Sequence, residues 1–250
     1  KVIHVDIDPA EIDKNVQAHV PIVGDVARVL RQLNQVVEPA TRPEWLQRIE
    51  ELKREHPSLY VRETRGLLPQ QVIRDLCEAT EGKAIVVTGV GQHQMWTAQH
   101  YAFKEANTFI TSGGLGSMGF EVPAAMGAQL GRPDAVVWAV CGDGGFQMTM
   151  FELATMVEHN IPAKFAIFNN GFLGMVRQWQ EFFYNKTYFA TQRTRNPDFV
   201  KLADAFGMLG LRVTEPGQSL PAIRAAMAHP GPVLVDFLIE QEENLYPMIP

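Results

Sequence analysis

Two residues of this 250-residue sequence have the type and the surroundings to hold a metal ion against a phosphate. Asp143 lies in Gly142-Asp143-Gly144-Gly145 directly behind an apolar run. Asn170 lies in Asn169-Asn170-Gly171 behind the next such run, with twenty-five residues separating Gly144 from Asn170. A carboxylate and a carboxamide are hard oxygen ligands of the kind that Mg²⁺ or Ca²⁺ takes. The glycines leave room for a phosphate to approach the backbone, and a helix starting near Phe146 would turn its positive end toward the same place. An acidic ligand beside a diphosphate requires a dication between the two. Either tripeptide alone is ordinary turn chemistry; the pair, each member directly after a strand, favours a metal–diphosphate site.

Such a site needs elements that bring the two loops together, and the hydrophobic pattern supplies them. Predominantly apolar runs at 84–88, 135–141, 163–168, 211–213 and 233–239 read as strands, and 67–80, 118–130, 146–159, 198–206 and 220–229 read as helices. Strands of this kind separated by helices imply an α/β fold, a parallel sheet flanked by helices on both faces. Its crossovers are right-handed, and ligands sit at the carboxyl ends of its strands. Ahead of this body, residues 1–34 read as strand–helix–strand–helix, too little to bury a core. Residues 35–65 read as a charged linker with one amphipathic helix: Thr41-Arg42-Pro43-Glu44 has the form of a capping box, and Trp45, Ile49 and Leu52 follow at helical spacing. Residues 66–250 form the main domain.

Bulk properties narrow the function. The chain is 46% hydrophobic and 20% charged with a formal net charge of −6, which argues against binding to nucleic acid, where a basic face is needed. No apolar run reaches the roughly 18 residues that span a bilayer. Cys77 and Cys141 stand far apart in apolar surroundings, as expected of free thiols in a reducing, cytoplasmic compartment. No targeting segment precedes Lys1, and Lys1–Asp8 reads at once as a core strand, so the chain is expected to be cut from something longer.

The Gly-Asp-Gly and Asn loops together resemble the thiamine-diphosphate signature of decarboxylases and carboligases. Four further stretches resemble acetohydroxyacid (acetolactate) synthase catalytic subunits. They are Gly89-Val90-Gly91-Gln92-His93-Gln94-Met95-Trp96, Ser112-Gly113-Gly114-Leu115-Gly116-Ser117-Met118-Gly119, Leu173-Gly174-Met175-Val176-Arg177-Gln178-Trp179 and Tyr246-Pro247-Met248-Ile249-Pro250. The likeness runs over nearly the whole chain. Phe172 departs from the polar or tyrosyl residue common in the family; because the family uses the backbone carbonyl there, the change should do little harm.

The resemblance implies a thiamine-diphosphate-binding fold preceded by the end of a central, FAD-associated domain. It implies that Asp143, Asn170 and the carbonyl of Phe172 hold Mg²⁺. Gln92, His93, Gly144 and Gly145 would line the diphosphate, with Ser117, Leu173, Gly174 and Met175 also against the cofactor. Met118 would wedge beneath it and the carbonyl of Gly116 accept from its amino group. Met175, Val176 and Trp179 would wall the substrate pocket. Asp6, Ile7, Asp25 and Val26 would touch FAD, most of whose site lies upstream. The reaction implied is decarboxylation of pyruvate and its addition to a second 2-oxo acid, pyruvate or 2-oxobutanoate, in branched-chain amino acid biosynthesis. In this family a glutamate from an N-terminal domain absent here, on the other subunit of a dimer, activates the cofactor. The chain alone is therefore expected to be inactive, and the active protein to be at least a homodimer, with a small regulatory subunit as a further partner.

Blander readings stand beside these. A Met near a helix start is more often core filling, Met175, Val176 and Trp179 are one helix face, and His93, following Gly-Gln in what reads as a loop, is a phosphate contact rather than a general base. Another thiamine-diphosphate enzyme, such as a pyruvate oxidase or glyoxylate carboligase, or a non-catalytic module on the same sheet, is the alternative. A NAD-dependent dehydrogenase is not: Gly114–Gly119 imitates part of a dinucleotide fingerprint without its following acid.

Overall fold

The computed structural model describes residues 1–56, 61–62, 64–193 and 195–247. Part of the expected linker and the closing Met248-Ile249-Pro250 lie outside the described residues. The chain divides into two compact units, Lys1–Pro57 and Ser58–Pro250.

In the first unit β1 (Ile3–Asp6) and β2 (Val20–Val23) pair in parallel, with Asp6 opposite Val23. Helix α1 (Val26–Val36) begins on Asp25, whose carboxylate accepts from the Arg28 N–H at 2.9 Å. Helix α2 (Pro43–Glu55) follows. None of the described residues of this unit is buried, as expected of a segment too small to close a core. Two expectations are corrected here. The run from Lys1 to Asp8 is a four-residue strand on the unit's surface, because a two-stranded sheet offers no second layer to cover it. Thr41 does not cap α2: Arg42 occupies the cap position and makes no side-chain cap bond. Pro43 at the first helical position supplies the preset φ and holds the preceding residue out of the helical region.

The second unit carries the sheet. Its elements are α3 (Pro69–Ala79), β3 (Ile85–Thr88), α4 (Gln92–His100), β4 (Phe109–Thr111), α5 (Glu121–Gly131), β5 (Val137–Gly142), α6 (Asp143–Thr149), α7 (Leu153–Glu158), β6 (Lys164–Asn169), α8 (Gly174–Phe183), α9 (Phe199–Ala205), β7 (Leu209–Val213), α10 (Pro216–Ala228) and β8 (Val233–Leu238). Six parallel strands lie in the order β4-β3-β5-β6-β8-β7. Alternate residues of each strand serve opposite faces. Val86, Trp138, Val140, Ala166, Phe168 and Val235 pack with residues of α3, α4 and α10, while Val87, Ala139, Cys141, Phe165, Ile167 and Leu234 pack with those of α5, α6, α7 and α9. Phe146 anchors α6 by meeting Phe165 and Phe199 edge-on, with ring centroids 6.0 and 5.8 Å apart; each such pair contributes on the order of 1 kcal/mol beyond burial.

Three differences from the sequence expectation bear on the site. Gln92 and His93 are the first turn of α4, not a loop. The helix expected over 146–159 starts three residues earlier and is broken at Met150–Glu152 by a 3-10 turn. There Thr149 leaves helical geometry and its hydroxyl donates to the Gly119 carbonyl at 2.7 Å, the kind of local bond that competes with helix. The three-residue β4 at the sheet edge was too short to announce itself. Among the described residues no helix is long and apolar enough to cross a membrane.

Candidate functional site

Strand order places the site. From β3 the chain leaves toward β4 on one side, whereas β5 lies on the other, so a crevice opens where the carboxyl ends of β3 and β5 part. Three strand ends deliver their loops to it: β3 through Gly89-Val90-Gly91 into α4, β5 directly into α6, and β6 through Asn170 to Leu173 into α8. The backbone N–H groups in the first turn of each helix have no partner within the helix. Gln92 and His93, Gly144 and Gly145, and Gly174 and Met175 come from those three first turns and line one cavity. Unpartnered N–H groups at helix openings are of the type that can receive an anion.

Asp143, Asn170, Phe172, Leu173, Met118 and Val176 line the same cavity. The Gly-Asp-Gly and Asn loops, distant in sequence, therefore meet as expected. Asp143 is buried; its Oδ1 accepts from the Gly144 N–H at 3.0 Å, and its Oδ2 accepts from the Asn196 carboxamide. Burial pushes the Asp143 carboxyl above its ordinary range, against the Asn196 hydrogen bond, the charge of Arg193 and the N–H groups of Gly144 and Gly171. A cation in the cavity would reverse that balance. Asn170 Oδ1 accepts from the Phe172 N–H at 3.0 Å, an Asx turn that holds the side chain at the strand end. Among the described residues no three His, Cys, Asp or Glu side chains gather as a metal cluster. One carboxylate with amide-type oxygens suits a Mg²⁺ whose remaining ligands are phosphate oxygens and water.

His93 is the polar atom that fits a phosphate. It is buried, its Nε2 has no hydrogen-bond partner among the described residues, and burial lowers its pKa to about 4. It is therefore a neutral imidazole in a residue that lines the cavity. Its ring fills the space in front of Gly142, where a Cβ would come within 3.0 Å of it. Gln92 is different. Its side-chain amide donates to Gln178 Oε1 at 2.7 Å and to the Glu243 carbonyl at 3.1 Å, so what it offers a phosphate is its backbone N–H at the opening of α4.

The cradle around Gly144 and Gly174 is tight. A Cβ on Gly144 would lie 2.7 Å from Leu173 Cδ2, and one on Gly174 would lie 2.1 Å from Gln92 Oε1. Gly116 and Ser117 lie outside the cavity lining, in the turn that leads to Met118. Gly116 takes a positive φ of 66°, and the Ser117 N–H donates to Ser112 Oγ at 3.0 Å. Trp179 follows Met175 by one helical turn on α8 but stands half exposed and does not line the cavity. Asp6 and Ile7 end β1 and Asp25 and Val26 open α1, in the other unit; Asp6 and Asp25 both accept local backbone N–H groups.

Sequence reasoning missed Asn196, Gln178 and Glu121. Asn196 sits in an irregular stretch with no spacing rule to flag it. Gln178 was quoted only as part of a motif. Glu121, a lone acid in an otherwise apolar helix, did carry a visible signal. It is fully buried with neither oxygen hydrogen-bonded among the described residues.

Comparison with known proteins gives a consistent picture. The model of "Thiamine pyrophosphate enzyme, C-terminal TPP binding domain" matches residues 89–237, and that of "Thiamine pyrophosphate enzyme, central domain" matches residues 1–33. The chain is 46% identical over 261 aligned residues to an acetolactate synthase of Mycobacterium leprae, covering 100% of this chain and 42% of that protein. It is 45% identical to an acetolactate synthase large subunit of Corynebacterium glutamicum, with the same coverage. It is 41% identical to acetolactate synthase 1, chloroplastic, of Zea mays, covering 100% of this chain and 41% of that protein. The chain thus spans about 42% of the length of the curated relatives it matches.

Proposed function

This chain belongs to the thiamine pyrophosphate enzymes, with their C-terminal TPP-binding domain at residues 89–237, and from that premise we propose that it forms the diphosphate–metal half of an acetolactate synthase site. Asp143, Asn170 and the carbonyl of Phe172 hold Mg²⁺. The diphosphate lies against His93, Gly144, Gly145 and the opening turns at Gln92 and Gly174, bordered by Leu173 and Met175. Gly116, Ser117 and Met118 take the remainder of the cofactor. The observation that carries this reading is the meeting of Asp143 and Asn170 in one cavity with the partnerless Nε2 of His93.

Thiamine diphosphate, when bound, supplies the electron sink for decarboxylating a 2-oxo acid and joining the fragment to a second one. This chain's residues orient it. Met118 braces its middle, His93 donates a neutral hydrogen bond, and the Met175–Val176 wall excludes water, which favours loss of a carboxylate's charge. Trp179, further along the same helix, contacts the second substrate. Pyruvate and a second 2-oxo acid are the substrates, for branched-chain amino acid biosynthesis. In the longer protein, FAD touches Asp6, Ile7, Asp25 and Val26, the residues 66–250 act as the catalytic module behind the 1–34 and 35–65 segments, and the assembly is a cytoplasmic homodimer or larger with a regulatory subunit.

Calorimetric titration of thiamine diphosphate, with and without Mg²⁺, tests the reading. Binding that needs Mg²⁺ and is lost in Asp143→Ala is expected. Equal binding by the unmodified and Asp143→Ala proteins, or binding indifferent to Mg²⁺, would overturn it.

A further inference from the structure

The carboxamide of Asn196 uses its whole hydrogen-bonding capacity. Its Nδ2 donates to Asp143 Oδ2 and to Asn169 Oδ1, the latter at 3.0 Å. Its Oδ1 accepts from Arg193 Nε at 2.8 Å and from Gln147 Nε2 at 3.3 Å. Two donors and two lone pairs are what the group has. Reversing the amide would set oxygen against the oxygens of Asp143 and Asn169, and N–H against the N–H groups of Arg193 and Gln147. The orientation is thus fixed by four partners, and the face turned to Asp143 is a donor.

Those partners belong to the two loops that carry the cation ligands. Asp143 opens α6; Asn169 ends β6 and is bonded directly to Asn170 in the chain. Asn169 is itself held from behind, its Nδ2 donating to Asp236 Oδ1 at 3.0 Å, and Asp236 Oδ2 accepts from Arg212 Nε at 3.1 Å. Asn196 therefore bonds both loops at once through one side chain. The carboxylate plane of Asp143 is pinned at both ends, Oδ1 by the Gly144 N–H and Oδ2 by Asn196.

We propose that Asn196 is a positioning residue for the metal site, setting Asp143 and the Asn170 loop at a fixed separation through one shared carboxamide. This rests on the metal–diphosphate reading above. The chemistry of the group suits the task. A neutral donor orients Asp143 without supplying a charge that competes with the cation. Arg193, the nearby cation, bonds the far side of Asn196, so the carboxamide stands between guanidinium and carboxylate. Outer partners of this kind typically govern metal affinity by about 10- to 100-fold.

The test uses the intact protein with saturating thiamine diphosphate and Mn²⁺ as the metal, free Mn²⁺ being read by electron paramagnetic resonance. Asn196→Ala is expected to weaken Mn²⁺ binding about tenfold. Arg193→Met, which removes one of the donors fixing the amide, is expected to weaken it about threefold and keeps the test open if the alanine variant does not fold. Melting of the unliganded protein is measured alongside. A merely structural Asn196 would lower the melting temperature and leave Mn²⁺ affinity unchanged. Asp143→Ala separates the two levels. If it abolishes Mn²⁺ binding while Asn196→Ala and Arg193→Met bind Mn²⁺ like the unmodified protein, the positioning role is wrong and the site reading stands. If Asp143→Ala binds Mn²⁺ normally, the site reading fails and the positioning role with it.

Discussion

Gln92 donates its side-chain amide to Gln178 Oε1 at 2.7 Å, joining two residues 86 positions apart. The same Gln178 oxygen accepts from the Leu245 N–H at 2.8 Å, and Gln178 Nε2 donates to the Leu245 carbonyl at 2.8 Å. The opening turn of α4 is therefore positioned by α8 and by the segment after β8. Gln178→Ala strips buried Leu245 of both side-chain partners. Unpartnered buried groups cost about 1–3 kcal/mol each, so the variant should lose about 2–4 kcal/mol in urea unfolding. A loss within experimental error would mean that this junction does not hold the turn.

Arg177 should resist exchange for lysine. Its side chain is buried, its guanidinium lies 5.3 Å from the Phe172 ring centre and 4.9 Å from that of Tyr188, and it pairs with Glu181 at 3.0 Å. Only a planar cation can stack on two rings and still bond a carboxylate. Arg177→Lys should therefore destabilise by about 1–2 kcal/mol, and Arg177→Met by about 2–4 kcal/mol because Glu181 loses its nearest cation, with Lys186 remaining at 3.9 Å. Equal stability of the lysine variant and the unmodified protein would show that the stacking contributes nothing.

The parts of the fold that were legible in the sequence were those with a strong local period. The strands at 137–142, 164–169 and 233–238 are predominantly apolar because both faces are covered, and the first two run directly into Asp143 and Asn170. Asp143 and Asn170 were legible because they follow those strands at once. What was hidden depends on contacts made across the chain. Helix α4 has almost no amphipathic pattern, since Gln92, His93, Trp96 and Thr97 are all buried. Asn196 lies in irregular chain, where only the four partners define its role. The antiparallel bridge between Phe172 and Gln192, with the Leu173 N–H donating to the Thr191 carbonyl at 2.8 Å and the Arg193 N–H to Gly171 at 2.7 Å, has no sequence period at all.

Gly144 should trade stability against ligand binding. It lies in the first turn of α6, where alanine is ordinarily better than glycine by about 1 kcal/mol. Its Cβ would meet Leu173 Cδ2 at 2.7 Å in the cavity lining. Leu173 lines the same cavity and must shift to make room, which alters the wall proposed to border the diphosphate. Gly144→Ala should therefore unfold within about 1 kcal/mol of the unmodified protein while binding thiamine diphosphate at least about tenfold more weakly by calorimetry. Unchanged affinity would mean that the diphosphate does not pass over this residue.

Glu121 should make stability depend on pH. Burial without a hydrogen bond raises its pKa from 4.5 to about 7, although the N–H groups of Glu121 and Gly119 lie near enough to ease the shift. Between pH 4.5 and 7 the unfolded chain has lost the proton and the folded chain keeps it. Stability thus falls as pH rises through that window and is level above it, by on the order of 3 kcal/mol in all. His93 works the other way, its folded pKa of about 4 lying below 6.5, but it is common to both proteins and cancels in a difference. Glu121→Gln keeps the shape and removes the titration. Its advantage over the unmodified protein should therefore grow from pH 4.5 to pH 7.5 and then stop. Parallel stability profiles for the two proteins across that range would mean that Glu121 is ionised in the fold.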